Sequence, residues 1–356
     1  MNITFLIGNG FDLRMGMKTR FADMYEEYIE SDSESEAIIN FKEMLRRDAP
    51  VYKTWGDFEM AMAQRAKDFS DEDSFIECLR DFKLHMAAHL RKEQTEFASR
   101  LSLSKGLRNI CAQEVSDSIH RFYNGLRPNV VNKFIELGAQ EHPTFNFISF
   151  NYTNVFDSLL SPFLGTAIHI HGTLDADVVL GADNMGQITD VPYITGRRFN
   201  RAFIKPEFNR SYDIVRVERA ETLIEKSDII CVYGMSLGKS DLSWTNKLKE
   251  WLLSYKDNHL VYFTYDERKF NKLNWDAIMD EEEDRVATLL GKICNSGEEM
   301  DKIFNQVHIP VGYDIFGVDE IINTELQKIK DEFLKKERLR KQLENRPQEI
   351  GIIGAK

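Results

Sequence analysis

A chain of 356 residues, 42 % of them apolar, is long enough for one large domain or two modest ones around a real core. Its net charge of −12 gives no overall basic footprint for non-specific nucleic-acid binding. No apolar run approaches the ~18–20 residues of a membrane span, and no basic stretch, apolar run and cleavage site open the chain, so a cytoplasmic protein is expected. Cys78, Cys111, Cys231 and Cys294 lie far apart without a C-x-x-C pair. That spacing argues against a thiolate zinc site and for reduced, mostly buried thiols.

The first apolar run, Phe5 to Ile7, stops at Gly8-Asn9-Gly10 and is followed by Phe11-Asp12. This predicts a strand that delivers two glycines and an acid to one point. Glycines permit positive φ and close backbone approach. A helix opening near Asp12 would turn its first amides toward a pyrophosphate. The third glycine of G-x-G-x-x-G would fall at position 13, which is Leu13, so this is not the standard dinucleotide fingerprint. An ordinary tight turn fits the motif equally well. Asp12 either meets a ribose hydroxyl or caps a helix.

From about 17 to 140, apolar residues recur at three- and four-residue spacing, which predicts a helical block with polar breaks at 31–35 and 49–55. Thr54 and Asp57 fit a capping box. The helix it opens puts Trp55, Phe58 and Met62 on one face and leaves Glu59 pointing elsewhere, to solvent or to a pocket. His85, His89 and Glu93 share a helix face as a candidate metal set, but H-E-x-x-H is absent and surface polarity explains them well.

Short apolar runs at 145–154, 167–172, 228–238 and 260–266, with a helix near 241–256, predict a mostly parallel sheet. Ligands bind beyond the carboxyl ends of such strands. One run ends in Asn151-Tyr152-Thr153, where Asn151 has both donor and acceptor for a ribose hydroxyl or water. His169 and His171, two apart, share a strand face. They are two metal ligands, or one structural histidine and one general base. Gly234-Met235-Ser236-Leu237-Gly238, followed by Asp241, has the G-x-S-x-G form of a nucleophile elbow. The candidate histidines precede it, so a backbone turn against a ligand fits better. Residues 196–210, with Arg197, Arg198, Arg201, Lys205 and Arg210, read as a solvated loop or a cationic rim for phosphate. A long amphipathic helix with a basic end is expected at 319–345, docked on the domain or self-associating.

Taken in order, "FLIGNGFD", "WGDFE", "FNYTN", "IHIHG" and "YGMSLGKSD" resemble the AbiH family of bacteriophage abortive-infection proteins over about 1–270. The order is also distantly similar to the sirtuin-like fold, over the sheet and its loops. On that comparison Gly8 and Gly10 match the glycine-rich turn, Asn151 the asparagine, His171 the catalytic histidine, and Gly234, Ser236 and Leu237 the late turn. Residue 153 is Thr where sirtuins have an acid, and the zinc-binding cysteine pairs of deacylases are absent, which argues against deacylation.

The resemblance implies an α/β protein with a mainly parallel, Rossmann-like (sirtuin-like) sheet formed by 1–16 and 141–318, a helical insertion or cap at 17–140, and a C-terminal helix and tail at 319–356. It implies NAD hydrolysis, with NAD as substrate and no metal. His171 and Asn151 would be catalytic. Gly8, Asn9, Gly10, Phe11, Asp12, Tyr152, Thr153, Gly234, Ser236, Leu237 and Asp241 would bind the nucleotide, with Trp55, Glu59 and His169 nearby. A phage-derived trigger or inhibitory partner and a homo-oligomer are the expected protein partners, with neither membrane nor nucleic acid. The alternatives are a non-catalytic NAD or ADP-ribose sensor, and a metal-dependent hydrolase or nuclease built on His169 and His171.

Overall fold

Strands with apolar side chains on both faces need helices on both sides, and this chain supplies them. The computed structural model describes residues 1–48, 55–188, 196–265 and 274–344. The strands described there are β1 (Asn2–Ile7), β2 (Thr144–Ser149), β3 (Ile168–His169), β4 (Ile229–Tyr233), β5 (His259–Phe263) and β6 (Val307–His308). All pair in parallel, in the order β3-β2-β1-β4-β5-β6. This is the doubly wound order, with its topological switch between β1 and β4.

The helices are α1 (Gly10–Arg14), α2 (Phe21–Glu30), α3 (Glu36–Asp48), α4 (Trp55–Arg65), α5 (Glu72–Leu101), α6 (Leu107–His120), α7 (Pro128–Glu136), α8 (Val155–Leu160), α9 (Arg197–Phe203), α10 (Lys205–Tyr212), α11 (Ile214–Glu225), α12 (Leu242–Ser254), α13 (Trp275–Ile293), α14 (Gly297–Ile303) and α15 (Val318–Glu344). Alternation along β1 divides the core. Ile3, Phe5 and Ile7 pack with residues of α6, α7 and α8 and the start of α15. Leu6 packs on the other face with residues of α11, α12, α13 and α14.

A third core lies off the sheet, built by α2, α3, α4, most of α5, and α9. Its centre is a stack in which the Phe58 ring lies 4.7 Å from Phe21 and 4.3 Å from Phe82. Asp71 caps α5 by accepting from the Ser74 amide at 2.8 Å. The helical block therefore serves two cores. Phe97, Leu101 and α6 cover the sheet, while the residues before them form the separate core that carries Glu59.

The sequence reading ends β1 where the structure does, at Ile7, but extends β2, β3, β4 and β5 past their observed ends, because the apolar runs continue into the loops. β6 escapes it, since two strand residues leave no period to detect. The 196–210 stretch is two helices rather than a loop. Phe199 and Phe203 enter the third core and Arg198 pairs with Asp73. The C-terminal helix is anchored by buried Val318 and Ile322 and by Arg14, which bonds Asp314 at 3.0 Å and Asp319 at 2.7 Å. Further along it, Phe333, Leu334 and Leu339 are exposed. Cys78, Cys111 and Cys231 are buried, and all four cysteines are free. Among the described residues, no helix is long and apolar enough to cross a membrane. Thr54 and the tail 345–356 lie outside the described residues.

Where β5 begins and β6 ends, His259 Nδ1 lies 3.0 Å from His308 Nε2, with both rings beside Phe134. Burial, then Lys133, pushes His259 down to about 4; burial, then His259 itself, pushes His308 down to about 3. An unfolded histidine titrates near about 6.5. The unfolded chain thus binds more protons below that pH, so this pair's contribution is full above about pH 6.5 and is lost as pH falls toward 4 and 3. Urea midpoints are expected to fall across that window and to fall less steeply in His308→Gln; identical slopes would remove the pair as the cause.

Candidate active site

The site begins with a backbone crossing at the switch point. The Gly8 amide donates to Tyr233 O at 2.8 Å and the Gly10 amide to Gly234 O at 3.0 Å, so the loops after β1 and β4 are zipped together. A Cβ on Gly10 would lie 2.4 Å from Gly234 Cα, and one on Gly234, where φ is +70°, would lie 2.6 Å from Gly10 Cα. The glycines are thus required by protein backbone. Several amides of this turn are spent on it: Gly8 and Gly10 as above, and Phe11 on Gly8 O at 3.0 Å. Asn9 is spent too, its side chain exchanging bonds with Thr19 at 2.7 and 3.0 Å.

Beside this crossing opens a cavity of about 290 Å³. Gly8, Asn151, His171 and Gly234, the ends of four strand-like runs, all line it. Asn9, Gly10, Asp12, Tyr152, Thr153, Leu237, Asp241 and Glu59 line it as well, and exposed Ser236 and Arg20 stand at its mouth. The Arg20 guanidinium makes no ion pair with any described residue. Two expected residues are elsewhere. Phe11 is wholly buried against Phe156, Tyr233 and Phe316, because the first helical turn rotates it into the sheet core. His169 also faces away. β3 ends there, so strand alternation does not carry on to His171. The Trp55 side chain lies outside the described residues.

One wall is an oriented amide. Thr153 Oγ1 donates to Asp12 Oδ2 at 2.6 Å, and Asn151 Nδ2 donates to Asp12 Oδ1 at 3.2 Å. The Asn151 backbone carbonyl lies 3.0 Å from His169 Nδ1, whose Nε2 is 2.5 Å from Asp157 Oδ2. With its NH₂ committed to Asp12, Asn151 turns Oδ1 the other way, buried and without a partner. Burial works against charge on His169, but Asp157 and the Asn151 carbonyl outweigh it and raise its pKa. Both ring nitrogens face oxygens, so neither offers a lone pair to a metal. Burial also pushes Asp12 up to about 7, against the bonds from Thr153 and Asn151.

The opposite wall is ionic. His171 is 5 % exposed, and its Nε2 lies 3.0 Å from Asp241 Oδ1, a close approach without the alignment of a hydrogen bond. Phe150 meets the ring edge-on at 5.4 Å. The turn after His171 needs Gly172, whose φ is +75° and whose Cβ would lie 1.6 Å from Asp177 O. Asp241 also accepts from Lys205 Nζ at 3.0 Å, and Lys205 bonds Glu59 at 2.9 Å. Burial alone would raise Asp241, but Lys205 and His171 hold it well below the usual carboxylate range. For Glu59 burial prevails over Lys205, so its pKa is raised.

Sequence reasoning missed Asp157 and Arg20, and placed Lys205 only in a solvated loop or cationic rim, not inside the cavity wall. Lys205 is masked by four neighbouring cations, Asp157 sits inside a short apolar helix, and Arg20 begins the helical block without a motif. The metal set at α5 resolves otherwise: His89 Nε2 bonds Lys18 O at 2.8 Å and Glu93 accepts from the Lys18 amide at 2.7 Å, pinning the strap before α2. Among the described residues, no group of three or more His, Cys, Asp or Glu side chains is placed to hold a metal.

A parallel, doubly wound sheet with a cavity at its switch point, mostly apolar in lining but carrying a few convergent polar groups, defines an α/β protein of the kind that holds ligands at strand ends. Within that class the chain belongs to the bacteriophage abortive infection AbiH family, whose sequence pattern matches residues 4–264 and so covers every cavity residue named above. Membership implies a role in phage abortive infection. No curated protein and no solved structure matches the chain.

Two outcomes follow from this geometry. Gly10→Ala is expected to destabilise the fold by about 1–3 kcal/mol or more, as overpacking does; an unchanged urea midpoint would refute the crossing as the reason for glycine. Asp12 titrates near 7 folded and 3.8 unfolded, so the folded state binds its proton more tightly. The stability this group contributes is full below pH 4 and is lost as pH rises through about 7. This contribution opposes that of the His259–His308 pair, so Asp12→Asn should make the urea midpoint rise more steeply with pH than the wild type's between pH 4 and 7.

Proposed function

We propose that this AbiH-family protein is an abortive-infection effector that hydrolyses NAD at the nicotinamide–ribose bond, through a site similar to that of sirtuin-like domains. The observation that carries the reading is the fixed, unpartnered Oδ1 of Asn151 in the same cavity as the His171–Asp241 pair. An acceptor in that position calls for a donor, a ribose hydroxyl or a water, and disfavours a phosphate oxygen. The cavity lies at the small end of ligand pockets, ~300–1,000 Å³. It suits the nicotinamide–ribose half, with the phosphates at the mouth beside Arg20 and Ser236.

In the reaction the bond from ribose C1′ to the pyridinium nitrogen breaks, and its electron pair neutralises that nitrogen. Positive charge builds on the ribose. Asp241, and Asp12 when ionised, favour that charge electrostatically in a site sheltered from water. A water held by Asn151 adds to C1′ and gives its proton to His171, leaving nicotinamide and ADP-ribose. His171 acts as general base and Asp241 stabilises the imidazolium that forms, the division of labour of an Asp–His pair. The Gly8–Asp12 loop and Gly234–Leu237 shape the floor. Unchecked NAD loss would harm the host, so a phage-derived trigger or an inhibitory partner belongs to this reading, as does the cytoplasm, where NAD is consumed.

The test is NAD loss and nicotinamide release by the purified protein, with and without EDTA and with phage lysate as activator. Cleavage that EDTA leaves intact and that falls about 10²–10⁴-fold in His171→Ala is expected, with nucleotide binding largely retained. His85→Ala, on α5 and outside the cavity lining, is the control for loss of an imidazole, while His169→Ala tests the support of Asn151. Binding without turnover under every condition would replace the enzyme with an NAD or ADP-ribose sensor. Cleavage abolished by EDTA would replace it with a metal-dependent hydrolase.

A further inference from the structure

Of the cations in residues 196–210, Lys205 turns inward and is 5 % exposed. Its backbone is fixed by a bridge between Ala182 and Ile204, in which the Lys205 amide donates to Ala182 O at 2.9 Å. Its ammonium has three protons and meets three acceptors: Glu59 Oε2 at 2.9 Å, Ser240 O at 3.0 Å and Asp241 Oδ1 at 3.0 Å. That same Asp241 oxygen is the one 3.0 Å from His171 Nε2. Glu59 is tied down in turn by the Gly181 amide at 3.0 Å.

Asp241 also occupies the N-cap position of α12, where an aspartate ordinarily accepts from its own helix. It makes no such bond. Asp183 takes the cap's place, accepting from the Ser243 amide at 3.0 Å and its hydroxyl at 2.6 Å. Two independent features, a substitute cap and a buried ammonium, thus turn Asp241 away from its helix and toward His171.

We propose that Lys205 is the positioning residue of this site: it fixes Asp241 against His171, and Glu59, from the helical block, fixes Lys205. The chain of contacts makes the geometry of the imidazole depend on where α4 stands. Without the ammonium, Asp241 is free to swing back onto α12 and His171 loses its partner. For activity the inference rests on the NAD-hydrolysis reading; for the state of Asp241 it does not.

The charged and titratable groups around Asp241 are Lys205 of α10, His171 after β3 and Glu59 of α4, with Tyr152 beside them. Lys83 of α5, which burial pushes down to about 8, faces Glu59. Removing Lys205 withdraws the largest influence that favours ionised Asp241, so Asp241 then takes up its proton at higher pH. The experiment uses the full-length protein and its Lys205→Met variant. Asp241 is followed by carboxyl carbon NMR, its signal assigned with Asp241→Asn, and NAD cleavage is measured in parallel.

An upward shift of the Asp241 titration together with a fall of about 10–100-fold in kcat at nearly constant KM supports the proposal, the loss being part of what general-base help is worth. An unmoved titration overturns it, whatever the rate does, and so does a moved titration with an unchanged rate. If the wild-type protein cleaves no NAD, the shift alone upholds Lys205 as the group that governs Asp241, and the hydrolysis reading fails by itself. Should Lys205→Met not fold, Glu59→Gln/Lys205→Met removes both charges of the buried pair and is read in the same way.

Discussion

The site depends on the backbone approach of Gly10 to Gly234, which leaves no room for a Cβ on either residue. That approach joins the loops that leave the two central strands at the point where the sheet changes direction. Each backbone supplies the other with what a loop at a sheet end lacks, a hydrogen-bond partner, and the missing Cβ atoms allow the distance. With the crossing in place, α1 starts at once, Asp12 is drawn beneath the loop after β2, and the space beside the crossing is left open as a cavity. Were the loops held a side chain apart, Asp12 would not reach Asn151 and Thr153.

Around that space the protein solves the problem of buried polarity in two ways. On one wall neutral donors surround Asp12, and burial prevails, leaving a carboxyl that titrates near 7. On the other an ammonium surrounded by acceptors keeps Asp241 charged. The difference is a lysine. Hydrogen bonds from an amide and a hydroxyl offset only part of the cost of taking a carboxylate out of water, whereas a full opposite charge at 3.0 Å offsets most of it. The cavity therefore holds one group poised to gain or lose a proton and one whose charge is fixed.

The helical block takes part in both core and site. Its later helices complete the layer over β1, as a helix after a first strand ordinarily does. Its earlier helices form a core of stacked phenylalanines off the sheet, and from that core Glu59 reaches the cavity. The strap from Met17 to Arg20, held by His89 and Glu93, links the two and brings Arg20 to the mouth. A displacement of the earlier helices would thus be felt at Lys205 and at the cavity rim together.

Much of this was legible in the chain alone. Apolar runs ending in Gly8, Asn151, His171 and Gly234 determined a parallel sheet with those residues at one edge, because strand burial on both faces leaves an unbroken apolar signature and a turn leaves its glycine. The helix carrying Glu59 and the C-terminal helix were equally clear from their period. Side-chain direction was not. Phe11 and His169 stand within a residue or two of cavity groups in sequence, yet a turn of helix and the end of a two-residue strand point them elsewhere. Lys205 lay hidden among surface arginines. A partnership such as Lys205 with Glu59, 146 positions away, has no local pattern: it exists only when folding brings two charges out of water together, and the free energy that selects it, desolvation set against attraction, is a property of the assembled interior rather than of any stretch of sequence.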